Sequence, residues 1–127
     1  NKVLLSDFGL AIVSQSQSSR YIGDGRKAGT AVYMAPEQFK GKPRPASDQY
    51  ALGIVVYEWL CGESPFSGGD FIQLGYQHTY TAPPPLHQSL PTIAPGVEQV
   101  VLRALAKDPA ERWPSVRAFA EALERAR

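Results

Sequence analysis

The sequence predicts a mainly α-helical fold, with one N-terminal strand, a long irregular segment and then about four helices. Three observations lead to this class. Hydrophobic residues make up 43% of the 127 residues, enough to build the core of one domain at most. Apolar residues recur at helical spacing after residue 46. Gly and Pro number 11 each, which indicates many turns rather than a simple helical bundle.

Composition and charge exclude several functional classes. The net charge of +1 predicts no strong attraction to nucleic acid or anionic lipid. The single cysteine, Cys61, excludes a disulfide framework and fits a reducing compartment. Charge is nevertheless uneven, since residues 1–46 carry +4 and residues 47–127 carry −3. This asymmetry fits either ordinary solvated surfaces or a first third that meets phosphate or acidic groups.

The first third holds the strand and the irregular segment. Residues 2–5 form an apolar stretch typical of a strand, so the chain starts inside an element and looks like part of a larger unit. Residues 6–46 are rich in Ser, Gly, Gln and Pro and show almost no periodicity. An irregular segment of this length inside a compact domain is usually functional.

Residues 47–61 give the clearest helical signal. Ser47 is the predicted N-cap, Asp48 favours the first turn, and Gly62 stands just past the end. Apolar side chains surround the whole helix, which predicts that it is buried at the centre of the fold. Trp59 on this helix is expected in the core, as is Phe66 in the loop that follows.

The rest of the chain alternates helices and connections. Residues 69–79 predict a shorter helix interrupted by Gly75, and residues 96–106 predict another. Five prolines make residues 82–95 a non-helical connection rather than a polyproline ligand. Ser115 is expected to cap a last helix that runs to about residue 126. A helical domain with an extended arm and the second half of a larger α-rich domain both fit this order.

Several candidate motifs fail on spacing. The glycines between Gly23 and Gly29 are one residue too widely spaced for a dinucleotide fingerprint, and no strand precedes them. Gly41 lacks the upstream glycine of a phosphate-binding loop. His78 and His87 have no partner cysteine, so a zinc site is not expected and both are predicted to lie on the surface.

Two motifs in order carry the chemistry. Asp7-Phe8-Gly9 directly follows the strand, where a carboxylate can bind a hard cation such as Mg²⁺. Ala35-Pro36-Glu37 follows after a polar loop, which is the order and spacing of the protein-kinase signature. Three further stretches agree in order with that signature: Ser47–Gly53, Gly62–Phe66 and Ala106–Arg112.

On these motifs the whole chain resembles the C-terminal part of a protein kinase domain, from Asp-Phe-Gly onward. It is most similar to the bacterial eukaryotic-like (Hanks-type) Ser/Thr kinases, in which Pro36-Glu37-Gln38 is the usual form. The resemblance implies the C-lobe portion of a protein kinase-like α+β fold. Residues 7–37 would form the activation segment and residues 38–127 a helical subdomain.

The resemblance also implies roles for the residues near the strand. Asp7 would bind the Mg²⁺ that bridges the ATP phosphates. Phe8 would pack beneath a helix of the other lobe, and Gly9 would let the backbone change conformation. Thr30 would sit beside the catalytic base and help to present the substrate hydroxyl.

A second set of implied roles concerns protein substrates and the fold. Residues 29–37, called the docking segment below, would bind the protein substrate, and its members singled out are Gly29, Thr30, Tyr33, Pro36 and Glu37. Glu37 would form a buried pair with Arg112 rather than a surface pair. Asp48 would support the catalytic loop from below.

Phosphorylation in the activation segment is a further expectation. A phosphate there can order the loop by pairing with arginine. Relatives often carry threonines a few residues before the Gly29-Thr30 pair, whereas this chain has Tyr21, Ile22 and Gly23. Ser18 or Ser19 is therefore the predicted substitute site, with Thr30 as a further candidate, although a merely polar loop fits as well.

The function implied is that of part of a serine/threonine protein kinase using ATP and Mg²⁺. The chain lacks the N-lobe and the catalytic loop of such an enzyme, so it is expected to be inactive alone. The alternative is a pseudokinase or scaffold that binds proteins without catalysis. Expected partners are ATP and protein substrates with Ser or Thr acceptors, with a kinase homodimer as a further option. No nucleic-acid partner is expected. The expected location is the cytoplasm, with membrane anchoring of the parent left open.

Overall fold

A computed structural model describes residues 31–127 except residue 68, so the predicted strand and residues 6–30 lie outside the described residues. The described part is helical. Its α-helices are α1 (Pro36–Phe39), α2 (Pro45–Cys61), α3 (Phe71–Tyr80), α4 (Leu86–Ser89), α5 (Pro95–Ala104) and α6 (Val116–Ala126), and a short 3-10 helix spans Pro109–Glu111. The four longer helices match the predicted number.

Helix α2 lies at the centre, as its apolar surface predicts. It packs against α4, α5 and α6, and Tyr50 and Ile54 are fully buried. It ends as expected at Gly62, whose φ of 86° is in the left-handed region that glycine adopts without strain. Trp59 contradicts the expected core position, because 60% of its surface is exposed.

The start of α2 differs from the prediction. The helix begins at Pro45, with Arg44 as the N-cap, because proline's fixed φ suits the first helical position. Ser47 is therefore the third helical residue and not the cap. Its hydroxyl instead accepts the backbone N–H of Arg44 at 3.0 Å, which satisfies a donor that the helix leaves unpaired.

Helices α5 and α6 complete the core on one side of α2. They pack against each other and against α2. Val101 and Ala104 of α5 and Phe119 of α6 are fully buried. Ser115 caps α6 as predicted, since its hydroxyl accepts the N–H of Ala118 at 3.0 Å. The apolar periodicity of both segments therefore predicts their buried faces correctly.

Helix α3 is continuous, although the sequence predicts an interruption at Gly75. It packs on α1, and a Cβ atom at Gly75 would come within 3.0 Å of the Phe39 ring. The missing side chain thus admits Phe39 close to the helix axis. This packing offsets the low helical propensity of glycine.

The proline-rich connection contains a short helix that the sequence analysis excludes. Helix α4 fits between Pro85 at its N-cap and Pro91 beyond its end, so no proline interrupts it. Its Leu86 is fully buried and packs in the core with α2. Within residues 31–127, residue 68 excepted, no helix has the length and apolarity needed to span a bilayer.

Candidate functional site

The site begins at α1, which presents Glu37 toward the interior. Pro36 occupies the first turn, and the Gln38 side chain turns back to accept the N–H of Ala35 at 2.8 Å. These two features start the helix at Pro36, near the end of the docking segment. Glu37 is 7% exposed, so its carboxylate needs buried partners.

Arg112 is the main partner of Glu37. Its Nη1 donates to Glu37 Oε2 at 2.8 Å and its Nη2 to Oε1 at 3.0 Å, a bidentate pair. The remaining donors reach carbonyl oxygens of Ala46 (3.1 Å), Ala106 (2.8 Å) and Lys107 (3.4 Å). All five N–H donors of the guanidinium therefore have acceptors, which a buried arginine requires.

Ser47 completes this group of charged and polar side chains, which we call the Arg112 junction (Glu37, Ser47 and Arg112). The Ser47 hydroxyl donates to Glu37 Oε2 at 2.6 Å. Burial alone would raise the pKa of Glu37, but the hydrogen bonds from Arg112 and Ser47 outweigh it and hold that pKa below its usual value. Glu37 is thus ionised at neutral pH, and the junction ties the end of the docking segment to α2.

Neighbouring residues fix Arg112 in place. The Gln49 side chain, buried in α2, makes two hydrogen bonds to the backbone of Trp113, one to its carbonyl at 2.7 Å and one from its N–H at 2.9 Å. Asp108 caps the 3-10 helix by accepting the Ala110 N–H at 2.9 Å. The loop carrying Arg112 is therefore held from both sides.

Tyr33 and Asp48, two other predicted site residues, are both described. The Tyr33 hydroxyl donates to Glu58 Oε1 at 3.2 Å. Partial burial and the Glu58 charge raise the pKa of Tyr33. Asp48 is half-buried in the first turn of α2. Their implied roles in substrate docking and in support of the catalytic loop stay predictions.

His78 contradicts the expected surface position, because it is fully buried. Its ring stacks on Phe39 at 5.5 Å between centroids and meets the edges of Phe66 and Tyr50 at 5.0 and 5.5 Å. We call these four residues the His78 cluster. The sequence shows no neighbour that would bury this side chain, but α1 and the loop after α2 cover the position. His87, by contrast, is exposed as predicted, and Nδ1 of its ring lies 2.9 Å from Glu98 Oε2.

Lys107 borders the His78 cluster. Its ammonium lies 4.4 Å from the centroid of the Phe66 ring and donates to the Gln77 carbonyl at 3.2 Å. Burial, with the charge of Arg112 as a smaller cause, lowers the pKa of Lys107 to about 8. Burial and the nearby Lys107 charge lower the pKa of His78 to about 4. His78 is therefore neutral at physiological pH.

The predicted nucleotide, metal and phosphorylation residues fall elsewhere. Asp7, Phe8, Gly9, Ser18, Ser19, Gly29 and Thr30 all lie outside the described residues. In the part that the structure describes, no three His, Cys, Asp or Glu side chains converge as a metal site. The fit of Mg²⁺ to Asp7 therefore stays a prediction.

Several residues that build the site were missed in the sequence. Ser47, Gln49 and Tyr50 belong to a stretch that agrees with the kinase signature, but the sequence predicts a cap role for Ser47 and no site role for the other two. The signal that could have found Gln49 is its polarity in an otherwise apolar helix, because a buried amide must have partners. His78 and Lys107 carry no comparable local signal.

This geometry defines a helical unit in which a buried ion pair joins α1 to the loop before α6, and Ser47 ties the same carboxylate to the central helix α2. Comparison with known proteins agrees: residues 1–124 match the family model "Protein kinase domain". The chain belongs to the protein kinase family, as the motif order predicts.

Two relatives within the protein kinase family are named as serine/threonine kinases. The chain is 39% identical to the probable serine/threonine-protein kinase PknB of Corynebacterium glutamicum, over 97% of this chain and 20% of that protein. It is 38% identical to the serine/threonine-protein kinase PknA of Mycobacterium tuberculosis, over 96% of this chain and 27% of that protein. The chain thus spans about a fifth to a quarter of these relatives.

One solved structure that matches is a mutant kinase domain of Mycobacterium tuberculosis PknI. The TM-score is 0.58 at 30% sequence identity, over 75% of this chain and 33% of that domain. The helical architecture is therefore shared with a protein kinase domain.

Proposed function

We propose that the chain is part of a serine/threonine protein kinase that transfers the γ-phosphoryl group of ATP to Ser or Thr of protein substrates. The relatives named as serine/threonine kinases support this assignment. The observation that carries it is the Arg112 junction, which fastens the predicted docking segment to the core through Glu37. A fixed substrate platform matters because phosphoryl transfer depends on positioning and electrostatics.

Protein kinases as a family use ATP and a divalent metal. We assign the metal contact to Asp7 and the substrate hydroxyl contact to Thr30, on their motif positions. The kinase signature includes a glycine-rich loop and a catalytic loop, and the 127 residues contain neither motif. The chain alone is therefore expected to be inactive. The proposed location of the kinase is the cytoplasm, where ATP and Mg²⁺ are present.

The test is a phosphotransfer assay on the full-length protein with radiolabelled ATP, Mg²⁺ and a generic Ser/Thr substrate protein. We expect incorporation into Ser and Thr that Asp7→Asn abolishes, and none with the 127-residue chain alone. A full-length protein that binds protein partners but transfers no phosphate would support the scaffold alternative instead.

Phosphorylation of the activation segment is part of the proposal. We place it on Ser18 or Ser19, with Thr30 as the further candidate, because a phosphate can order such a loop by pairing with arginine. Phosphopeptide mapping of the active full-length protein tests this. A map in which Ser18, Ser19 and Thr30 are all unmodified would contradict it.

A kinase homodimer is also part of the proposal, and α3 offers a surface for it. Ile72, Tyr76 and Tyr80 lie four residues apart on one face and are 79%, 63% and 70% exposed. An exposed apolar stripe of this kind is typical of protein contacts. Sedimentation of the full-length protein tests it: Ile72→Glu should shift a dimer toward monomer, and a wild-type protein that stays monomeric at high concentration overturns it.

A further inference from the structure

The environment of His78 is unusual for a histidine with no catalytic neighbour. It is fully buried in the His78 cluster, which brings together α1, α2, α3 and the loop after α2. An apolar aromatic side chain could fill this position without the cost of burying polar nitrogens. The two buried nitrogens must therefore make contacts that compensate for this cost.

One nitrogen is fixed by α2. Nδ1 of His78 lies 2.7 Å from the Tyr50 hydroxyl, and both groups are buried. Nε2 is also buried and makes no hydrogen bond of standard geometry within residues 31–127. The backbones of Val32 and Ala31 lie against the ring and act to raise its pKa. Carbonyl acceptors have that effect, whereas N–H donors would lower the pKa.

These contacts indicate one tautomer. If the Tyr50 hydroxyl donates to Nδ1, then Nε2 carries the proton and faces the carbonyl groups of residues 31 and 32. In this arrangement His78 holds the first described residues of the docking segment.

The His78 ring is also linked indirectly to the Glu37 end of the segment, through two different neighbours. Phe39, on which His78 stacks, lies two residues after Glu37 in α1. The Tyr50 ring that bonds His78 faces the guanidinium of Arg112, with Cζ 4.9 Å from the ring centroid. Arg112 in turn binds Glu37. His78 thus lies near the backbone of residues 31–32 and is linked to Glu37 through Tyr50 and Arg112.

We propose that His78 is a positioning residue for protein substrates, which holds the docking segment from Ala31 to Glu37 through Tyr50 and Phe39. The inference rests on the proposed kinase function. His78 acts on the segment and touches neither ATP nor the reacting hydroxyl. Its loss should therefore weaken use of the protein substrate while binding of ATP is unchanged.

The experiment is steady-state kinetics of the full-length kinase with a Ser/Thr peptide substrate. His78→Phe keeps a planar aromatic ring at this position and removes both nitrogens. It should raise KM for the peptide about three- to tenfold, because the buried hydrogen bond between His78 and Tyr50 is lost and the segment is held less firmly in its binding-competent position. KM for ATP should change by less than about twofold on the same reasoning. His87→Phe, the same substitution at the exposed histidine, should leave both KM values unchanged.

A second variant keeps the proposal testable if His78→Phe does not fold. Tyr50→Phe removes only the hydroxyl that bonds His78 and leaves the ring against Arg112. It should raise the peptide KM by a similar factor, and the double variant should raise it no further. Unchanged peptide KM in either folded variant overturns the inference, and so does an equal rise in KM for ATP. A wild-type protein that transfers no phosphate would overturn the proposed kinase function, and the inference that rests on it would fall as well.

Discussion

The Arg112 junction and the outer surface of α6 each hold an Arg–Glu pair, yet the two pairs differ in almost every physical respect. The side chains of Arg112 and Glu37 are 0% and 8% exposed, and their residues are far apart in sequence. Arg117 and Glu121 are 88% and 52% exposed and one helical turn apart, with a single contact of 3.3 Å. The same two residue types thus provide a structural anchor in one place and a solvated pair in the other.

The difference shows that burial and additional hydrogen bonds determine how much an ion pair contributes to the stability of the fold. An exposed pair gains little, because water and salt screen both charges. A buried pair is costly to form, and breaking it is costlier still, because the remaining charge has no solvent. The junction meets this cost with acceptors for every Arg112 donor and with Ser47 on Glu37.

The largest expected effect comes from breaking the buried pair. Arg112→Met should lower the free energy of unfolding of the α1–α2 region by about 3–5 kcal/mol, because Glu37 is left buried and unpaired. Hydrogen exchange of the α1 and α2 amides in the full-length protein measures this change. A loss below about 1 kcal/mol would show that water reaches Glu37.

The second effect concerns His78, whose shifted pKa corresponds to about 3 kcal/mol of stability. The pKa of His78 is about 4 in the folded chain against 6.5 for the free side chain. The unfolded chain therefore binds the proton first as pH falls, so this contribution is complete above pH 6.5 and is lost progressively down to about pH 4. Tyr50 and Lys107 face His78 from α2 and from the loop after α5, and both keep their protons across this range.

The measurement is protein stability between pH 7 and pH 4, compared between wild type and His78→Phe. The variant lacks the titrating group, so its stability should fall less steeply with acid. Both proteins contain Glu37 and the same other carboxylates, so the contribution of these groups cancels in the comparison. Parallel curves would contradict a buried neutral histidine.

A smaller effect is expected from the polar member of the junction. Ser47→Ala removes one hydrogen bond to the Glu37 carboxylate and one from the Arg44 N–H. Arg112 still pairs with Glu37, so the loss should be about 1–3 kcal/mol in the same exchange experiment. Ser115→Ala, which removes only the cap of α6, is the matched control at about 1 kcal/mol. An equal effect of the two substitutions would show that Ser47 contributes only through its hydrogen bond to the Arg44 N–H.

The sequence predicts the parts of this fold that depend on local patterns. Periodicity predicts the buried α2, α5 and α6, and Gly62 predicts the end of α2, because these signals act within a few residues. The Glu37–Arg112 pair could be expected only from the order of motifs, since no local pattern links residues so far apart. The nucleotide and metal assignments, including Asp7, depend on the same motif order and stay predictions.

The errors have a common physical cause in tertiary contacts. The sequence predicts His78 on the surface because it offers no metal partner, but Phe39 and Phe66 come from distant segments and bury it. Gly75 was predicted to interrupt α3, but the Phe39 ring fills the space beside it. Trp59 was predicted in the core, yet its side of α2 is left exposed. Local propensity cannot register any of these neighbours.

The smallest effect completes the comparison of the two ion pairs. Arg117→Met should change the free energy of unfolding by less than about 0.5 kcal/mol, because an exposed pair one turn apart gains little in water. This small change should vanish at 1 M salt, where charges on the surface are screened. The loss caused by Arg112→Met should persist at that salt concentration, because ions do not reach the buried Glu37. Equal salt sensitivity of the two variants would mean that Glu37 and Arg112 are accessible to solvent, and the junction could not then fix the docking segment.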